Sequence, residues 1–128
     1  MKILLDTCTF LWLALDDKSL SLQAIRLFKD PDHEIFLSTV SCWEMAVKYA
    51  LGRLELPATP ADVIPSWRES HGISTLPLEE NAAVYEYKLP KLHNDPFDRM
   101  LICQSIVHGM AMLTPDRDIS RYAINVLW

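Results

Sequence analysis

Lys2-Ile3-Leu4-Leu5-Asp6 is a short, nearly continuous apolar run closed by a carboxylate. Such a run, too short for a helix and without apolar–polar alternation, marks a strand buried on both faces, and a sheet built of such strands is parallel and covered by helices. Asp6 ends it with a charge that is costly in that place unless something partners it. The segments that follow alternate in the same sense. Thr9 to Leu15 predicts a helix, Ser21 to Lys29 a second, and Asp30-Pro31-Asp32 a turn. Glu34 to Leu37 predicts the second strand. Ser41-Cys42-Trp43-Glu44 has the S-x-x-E form of a capping box, so a helix is expected to start there, to run through Met45 to Leu51 and to stop at Gly52.

Farther along, Leu56 to Ala61 reads as a loop and 61–70 as a helix that must accommodate Pro65. Gly72 to Leu78 predicts a third strand, and Glu79 to Leu89 a helix closed by Pro90. In His93-Asn94-Asp95-Pro96-Phe97-Asp98-Arg99, Pro96 suits the first helical position and Asp95 the N-cap. Asp98 then lies in the first turn, where the helix dipole favours an anion. Met110 to Thr114 predicts a fourth strand, Pro115-Asp116-Arg117-Asp118 a turn, and Ile124 to Trp128 a short last strand. Strands alternating with helices give an α/β domain with a largely parallel, twisted sheet of four to five strands flanked by helices on both faces.

The 128 residues are enough for one domain, 1–128, with a real core, and the 50 % apolar content is that of an ordinary globular protein. No run of about 18 uncharged apolar residues exists, which excludes a membrane partner. Asp6 interrupts the only leader-like stretch, so a secretory signal is rejected. Cys8, Cys42 and Cys103 are odd in number and lie in no C-x-x-C pair, which excludes a zinc ribbon or disulfide scaffold and fits a reducing cytoplasm. Each is expected to be a small core residue. The formal charge of −5 argues against general coating of nucleic acid but suits a partner with a basic tail.

At least three acids are expected along one edge, with Asp98 as a fourth whose helix follows no obvious strand. Asp6 follows the first strand and Asp116 the fourth; Glu44 and Asp98 open helices. In a parallel sheet, strand C-termini and the helix N-termini after them share the edge at which such sheets bind ligands. Clustered carboxylates repel, and some must take up protons unless a cation joins them. Oxygen donors without His or Cys point to Mg²⁺, with Mn²⁺ as a substitute. Asp118 stands close enough to Asp116 to be the fourth acid in its place.

These residues resemble a known family. Leu4-Leu5-Asp6-Thr7, Ser38-x-x-Ser41-x-Trp43-Glu44, Lys48-x4-Arg53-Leu54, His93-x-Asp95-Pro96-Phe97-Asp98-Arg99 and Leu113-Thr114-x-Asp116, in this order from Ile3 to Trp128, are similar to PIN domains, and above all to VapC-type ribonuclease toxins of toxin–antitoxin pairs. The resemblance implies a three-layer PIN-like domain with Asp6, Glu44, Asp98 and Asp116 as catalytic, metal-holding acids. It places Thr7 and Thr114 near the site, with Arg99 either gripping substrate or neutralising Asp98. It further implies RNA as substrate, a homodimer, a cognate antitoxin that silences the enzyme, and operator DNA reached only through that antitoxin. Asn94 departs from the family, where that position is often basic.

The expected chemistry is endoribonucleolytic hydrolysis by metal-activated water, which needs only carboxylates and leaves a 5′-phosphate and a 3′-hydroxyl. Lys48, Arg53, Lys91, Arg117 and Arg121 are further candidates for gripping RNA. Of the four histidines only His93 lies near the acids. A receiver domain would need an acidic pair after its first strand and a late lysine; an Asp-nucleophile hydrolase would need an Asp where Cys8 stands. The remaining alternative is a catalytically weak PIN-like protein that acts mainly with its antitoxin on DNA, using apolar residues such as Leu13, Trp43 and Trp67.

Overall fold

A computed structural model describes residues 1–128 as a five-stranded, all-parallel sheet in the order β3-β2-β1-β4-β5. The strands are β1 (Lys2–Leu5), β2 (Glu34–Ser38), β3 (Ser74–Leu76), β4 (Ala111–Leu113) and β5 (Val126–Leu127). β1 is central, with Ile3 opposite both Ile35 and Ala111. Its alternating side chains feed two separate cores. Leu4 joins Phe36, Met112, Leu101 and Ile102 on one face, while Ile3 and Leu5 join Ile35, Leu37, Phe10 and Met45 on the other. Both faces are dry, which is why the strand carries no polar alternation.

Seven helices make the outer layers: α1 (Thr7–Leu15), α2 (Leu22–Lys29), α3 (Thr39–Ala50), α4 (Pro60–Ser70), α5 (Glu80–Tyr85), α6 (Pro96–His108) and α7 (Arg117–Ser120). Ser21 caps α2 by accepting from the Ala24 N–H, and Asp95 caps α6 by accepting from the N–H groups of Phe97 and Asp98. Gly109, at φ 64°, closes α6 in the left-handed region that glycine adopts without strain. No helix is long and apolar enough to cross a membrane.

Several local expectations are corrected. α3 starts earlier than the Ser41–Glu44 capping box predicts, because Ser38 takes the cap and accepts from the Val40 N–H. Ser41 is thus inside the helix, and Glu44 lies in its second turn. The Glu79–Leu89 helix divides into α5 and a 3-10 turn at Glu86–Lys88. The Pro115–Asp118 turn is the start of α7, capped by Asp116. Pro65 is carried inside α4. Of the three cysteines expected in the core, only Cys103 is buried; Cys42 is half-buried and Cys8 is exposed.

An acidic edge at the sheet switch point

The strand order reverses direction at β1, with β2 on one side and β4 on the other. The crevice beyond the strand C-termini at such a switch point is where open parallel sheets place ligands. Asp6 and Asp116 stand at this crevice, directly after β1 and shortly after β4. Asp98 arrives there because α6 must return the chain from the C-terminal end of β3 to the start of β4. That geometry supplies the strand, β3, which the sequence left without a clear link to α6.

Asp6 is 4 % exposed and caps α1: one carboxylate oxygen accepts from the Thr9 N–H at 2.8 Å, the other from the Thr114 hydroxyl at 2.5 Å. Thr114 in turn accepts from the Asp116 N–H at 3.0 Å. Glu44, also buried, accepts from the Thr7 hydroxyl at 2.6 Å and is paired with Lys48 one helical turn on. Both threonine hydroxyls are thus hydrogen-bonded to acids of the edge, near which the resemblance places them. Lys48 likewise spends its charge on Glu44. Partial burial works against its ammonium, but the bond and charge of Glu44, with Asp95 and Asp98 beyond, raise its pKa.

The repulsion among the acids falls on Asp98. Burial first, and then the charges of Asp95, Asp116, Glu44 and Asp6, push its carboxyl up to about 8. The start of α6 favours an anion by only about 1 kcal/mol, whereas a shift of this size is worth roughly 6 kcal/mol before any screening, so burial and the neighbouring acids win. Asp6 is also raised, mainly by burial and secondarily by Asp116, against the bonds from Thr114 and Thr9. Asp116 is among the leading charges that raise both acids, whereas Asp118 is exposed and faces Arg121 at 3.5 Å. The geometry thus favours Asp116 over Asp118 as the fourth acid.

No three His, Cys, Asp or Glu side chains converge tightly enough to hold a metal ion as they stand. The four acids share a field without forming a finished cage. Their chemistry nonetheless fits a hard divalent cation: the donors are all oxygen, and burial with four neighbouring acids disfavours the Asp98 carboxylate, a cost that a cation would offset. The field has a reporter in Cys8: although the residue as a whole is exposed, the protein around its thiol first, and then Asp6, Asp17, Asp116 and Glu44, push it up to about 11. Cys8 is expected to alkylate with iodoacetamide at pH 8 about a hundredfold more slowly than an ordinary exposed thiol, and faster once Mg²⁺ is added. Peptide mapping of a reaction time course checks this; an ordinary rate that Mg²⁺ leaves unchanged would refute the acidic field.

Arg99 does not belong to this edge. It is 6 % exposed and points the other way, pairing with Glu86 at 2.7 Å and donating to the carbonyls of Leu89 and Pro90 and to the Tyr122 hydroxyl. The substrate-gripping and Asp98-neutralising roles expected of it are both corrected. Two neighbours were given no role in the sequence reading. His93 brings its Nε2 to 3.7 Å from Asp98, and Tyr122 meets His93 from the far side at 2.8 Å. Only the proximity of His93 to the acids in the chain pointed to it; nothing marked Tyr122. Leu13 and Trp67 pack against the core, while Trp43 is 60 % exposed and rests edge-on against Phe97.

The PIN domain family model matches residues 3–125. Among solved structures, the chain is similar to VapBC2 from Rickettsia felis bound to a DNA fragment from its promoter, with a TM-score of 0.75 and 12 % identity, covering 100 % of this chain and 99 % of that one. DNA-bound VapBC from Salmonella typhimurium follows at 0.71 and 17 %, covering 99 % and 97 %. VapBC-5 from Mycobacterium tuberculosis, a member of the VapBC family of toxin–antitoxin systems, stands at 0.60 and 17 %, covering 98 % and 95 %. No curated protein sequence matches.

Proposed function

The chain belongs to the PIN domain family, and from that premise we propose that it is a Mg²⁺-dependent endoribonuclease, the toxin of a toxin–antitoxin pair. The observation that carries the reading is Asp98, held part-buried at the switch point with its carboxyl raised first by burial and then by four neighbouring acids. A site that strains one carboxylate in this way is built to be completed by a cation. Asp6, Glu44, Asp98 and Asp116 would hold Mg²⁺, or Mn²⁺ in its place. When bound, the ion supplies positive charge to a phosphodiester and acidifies water.

The chain's own residues do the remaining work. Thr114 and the Thr9 N–H fix the Asp6 carboxylate, and Thr7 with Lys48 fixes Glu44, so neither acid reorganises as charge builds on a phosphate. The Lys48 ammonium, its pKa raised, stays protonated beside Glu44. RNA contact falls to Arg53, Lys91 and Arg117. A cognate antitoxin, operator DNA reached through it, and a homodimer complete the proposal. They rest on the fold shared with VapBC complexes, two of them solved with DNA, and the −5 charge suits a basic partner segment.

A second reading, a PIN-like binding protein with feeble catalysis, is favoured by one observation: the acids do not close into a cage. End-labelled tRNA and rRNA incubated with antitoxin-free protein separate the two. The nuclease reading expects discrete cuts in Mg²⁺ or Mn²⁺ that vanish with EDTA and carry 5′-phosphate and 3′-hydroxyl ends. Cuts that survive EDTA, or 2′,3′-cyclic phosphate ends, would overturn it. Metal binding without any cutting would favour the second reading.

A further inference from the structure

The hydroxyl of Tyr122 is crowded by donors. The N–H of His93 reaches it at 3.2 Å, Nη1 of Arg99 at 3.2 Å, and the N–H of Leu92, shared with the Pro90 carbonyl, at 3.3 Å. A phenolic oxygen has two lone pairs and one proton. Three N–H groups already fill its accepting capacity, so a fourth donor has no lone pair left to use. The remaining neighbour, Nδ1 of His93 at 2.8 Å, must therefore receive the Tyr122 proton. The two rings meet edge to face at 5.3 Å, and Tyr122 is buried.

A neutral imidazole that accepts at Nδ1 carries its single proton on Nε2. That atom is buried, has no hydrogen-bond partner, and lies 3.7 Å from Oδ2 of Asp98. Unlike Asp6 and Glu44, Asp98 has no side-chain hydroxyl or ammonium tethering it. We propose that Tyr122 is a tautomer lock: its hydroxyl, itself fixed by Arg99, holds His93 with the proton on Nε2, and His93 is the positioning residue that sets the orientation of the Asp98 carboxylate. A small rotation of that carboxylate closes the 3.7 Å approach to a hydrogen bond on Oδ2. The buried arginine thereby gains a purpose at the acidic edge without touching it.

The consequence for cleavage rests on the ribonuclease reading; the tautomer does not. The test is long-range ¹H–¹⁵N NMR of the full chain labelled on histidine, with His93→Asn used for assignment. Wild type is expected to show His93 as one tautomer, protonated on Nε2 with a bare Nδ1. Tyr122→Phe, which keeps the ring, is expected to shift it toward a mixture with the Nδ1-protonated form. In the cleavage assay Tyr122→Phe is expected to lower kcat about 10-fold to 100-fold with KM little changed. His93→Gln, whose amide N–H can reach Asp98, is expected to retain more activity than His93→Asn, whose shorter amide reaches only Tyr122. A wild-type ring protonated on Nδ1, or a folded Tyr122→Phe protein with an unaltered His93 spectrum, would overturn the proposal. Should Tyr122→Phe fail to fold, the wild-type spectrum alone decides. A wild-type protein with the expected tautomer that cuts no RNA would count against the ribonuclease reading and support the lock.

Discussion

Asp98→Asn is expected to make the metal-free protein more stable while abolishing its activity. The carboxyl of Asp98 lies near 3.8 when unperturbed and at about 8 in the fold. A folded-state pKa above the unfolded one means that the folded chain holds the proton more tightly. The stabilisation from that proton is full below the unfolded pKa of about 4 and is lost as pH rises toward 8. At neutral pH the carboxylate therefore opposes folding, by about 2–4 kcal/mol once partial contact with solvent is allowed for. Asparagine keeps the shape and removes the charge. Thermal melts in EDTA at pH 7.5 should show a midpoint raised by roughly 10 °C, with the gain fading by pH 4. RNA cleavage should fall about 10²-fold to 10⁴-fold with the same change. A midpoint that drops at pH 7.5, or a gain of equal size at pH 4, would show that Asp98 does not bear the repulsion assigned to it.

Arg99→Met is expected to damage the fold and spare any direct contact with RNA. The guanidinium joins Glu86, the Leu89 and Pro90 carbonyls and the Tyr122 hydroxyl while almost wholly out of solvent. Removing it leaves buried acceptors without donors and should cost about 2–4 kcal/mol. Half-exposed Glu86 can turn to water, which keeps the loss below that of a fully buried pair. Arg99→Lys should recover little, because one ammonium cannot reproduce a planar fork that serves several acceptors. Denaturant unfolding reads the stability, and RNA binding measured well below the transition reads the contact. Unchanged stability with weakened RNA binding would return Arg99 to the substrate surface.

What was legible in the sequence follows from which interactions are local. The strand at Lys2–Leu5 and the helix start at Asp95–Pro96 are set by their own residues, and both appear where the apolar run and the cap predict. The Ser41–Glu44 box misled because a serine three residues earlier had the extended backbone a cap needs and took the position first. Placing the acids on one edge required only the parallel sheet, which the pattern of runs revealed. Their partners were hidden. Thr114 finds Asp6 across 108 residues, and Thr7 finds Glu44 across 37. Arg99 misled most, since its neighbour in sequence is Asp98 while its side chain leaves α6 toward the Glu86–Pro90 segment.

The central place of β1 bears on how the chain emerges during synthesis. The first strand made cannot complete its pairing until the fourth, more than a hundred residues later, arrives beside it. The β1–β2 pair can form early, but Asp98, Thr114 and Asp116 are still unmade or inside the ribosome tunnel at that stage. A nascent chain therefore holds Asp6 and Glu44 without the acids that would complete the edge. Such a topology keeps the four acids apart until the segment through Asp116 has cleared the exit tunnel and β4 can pair with β1.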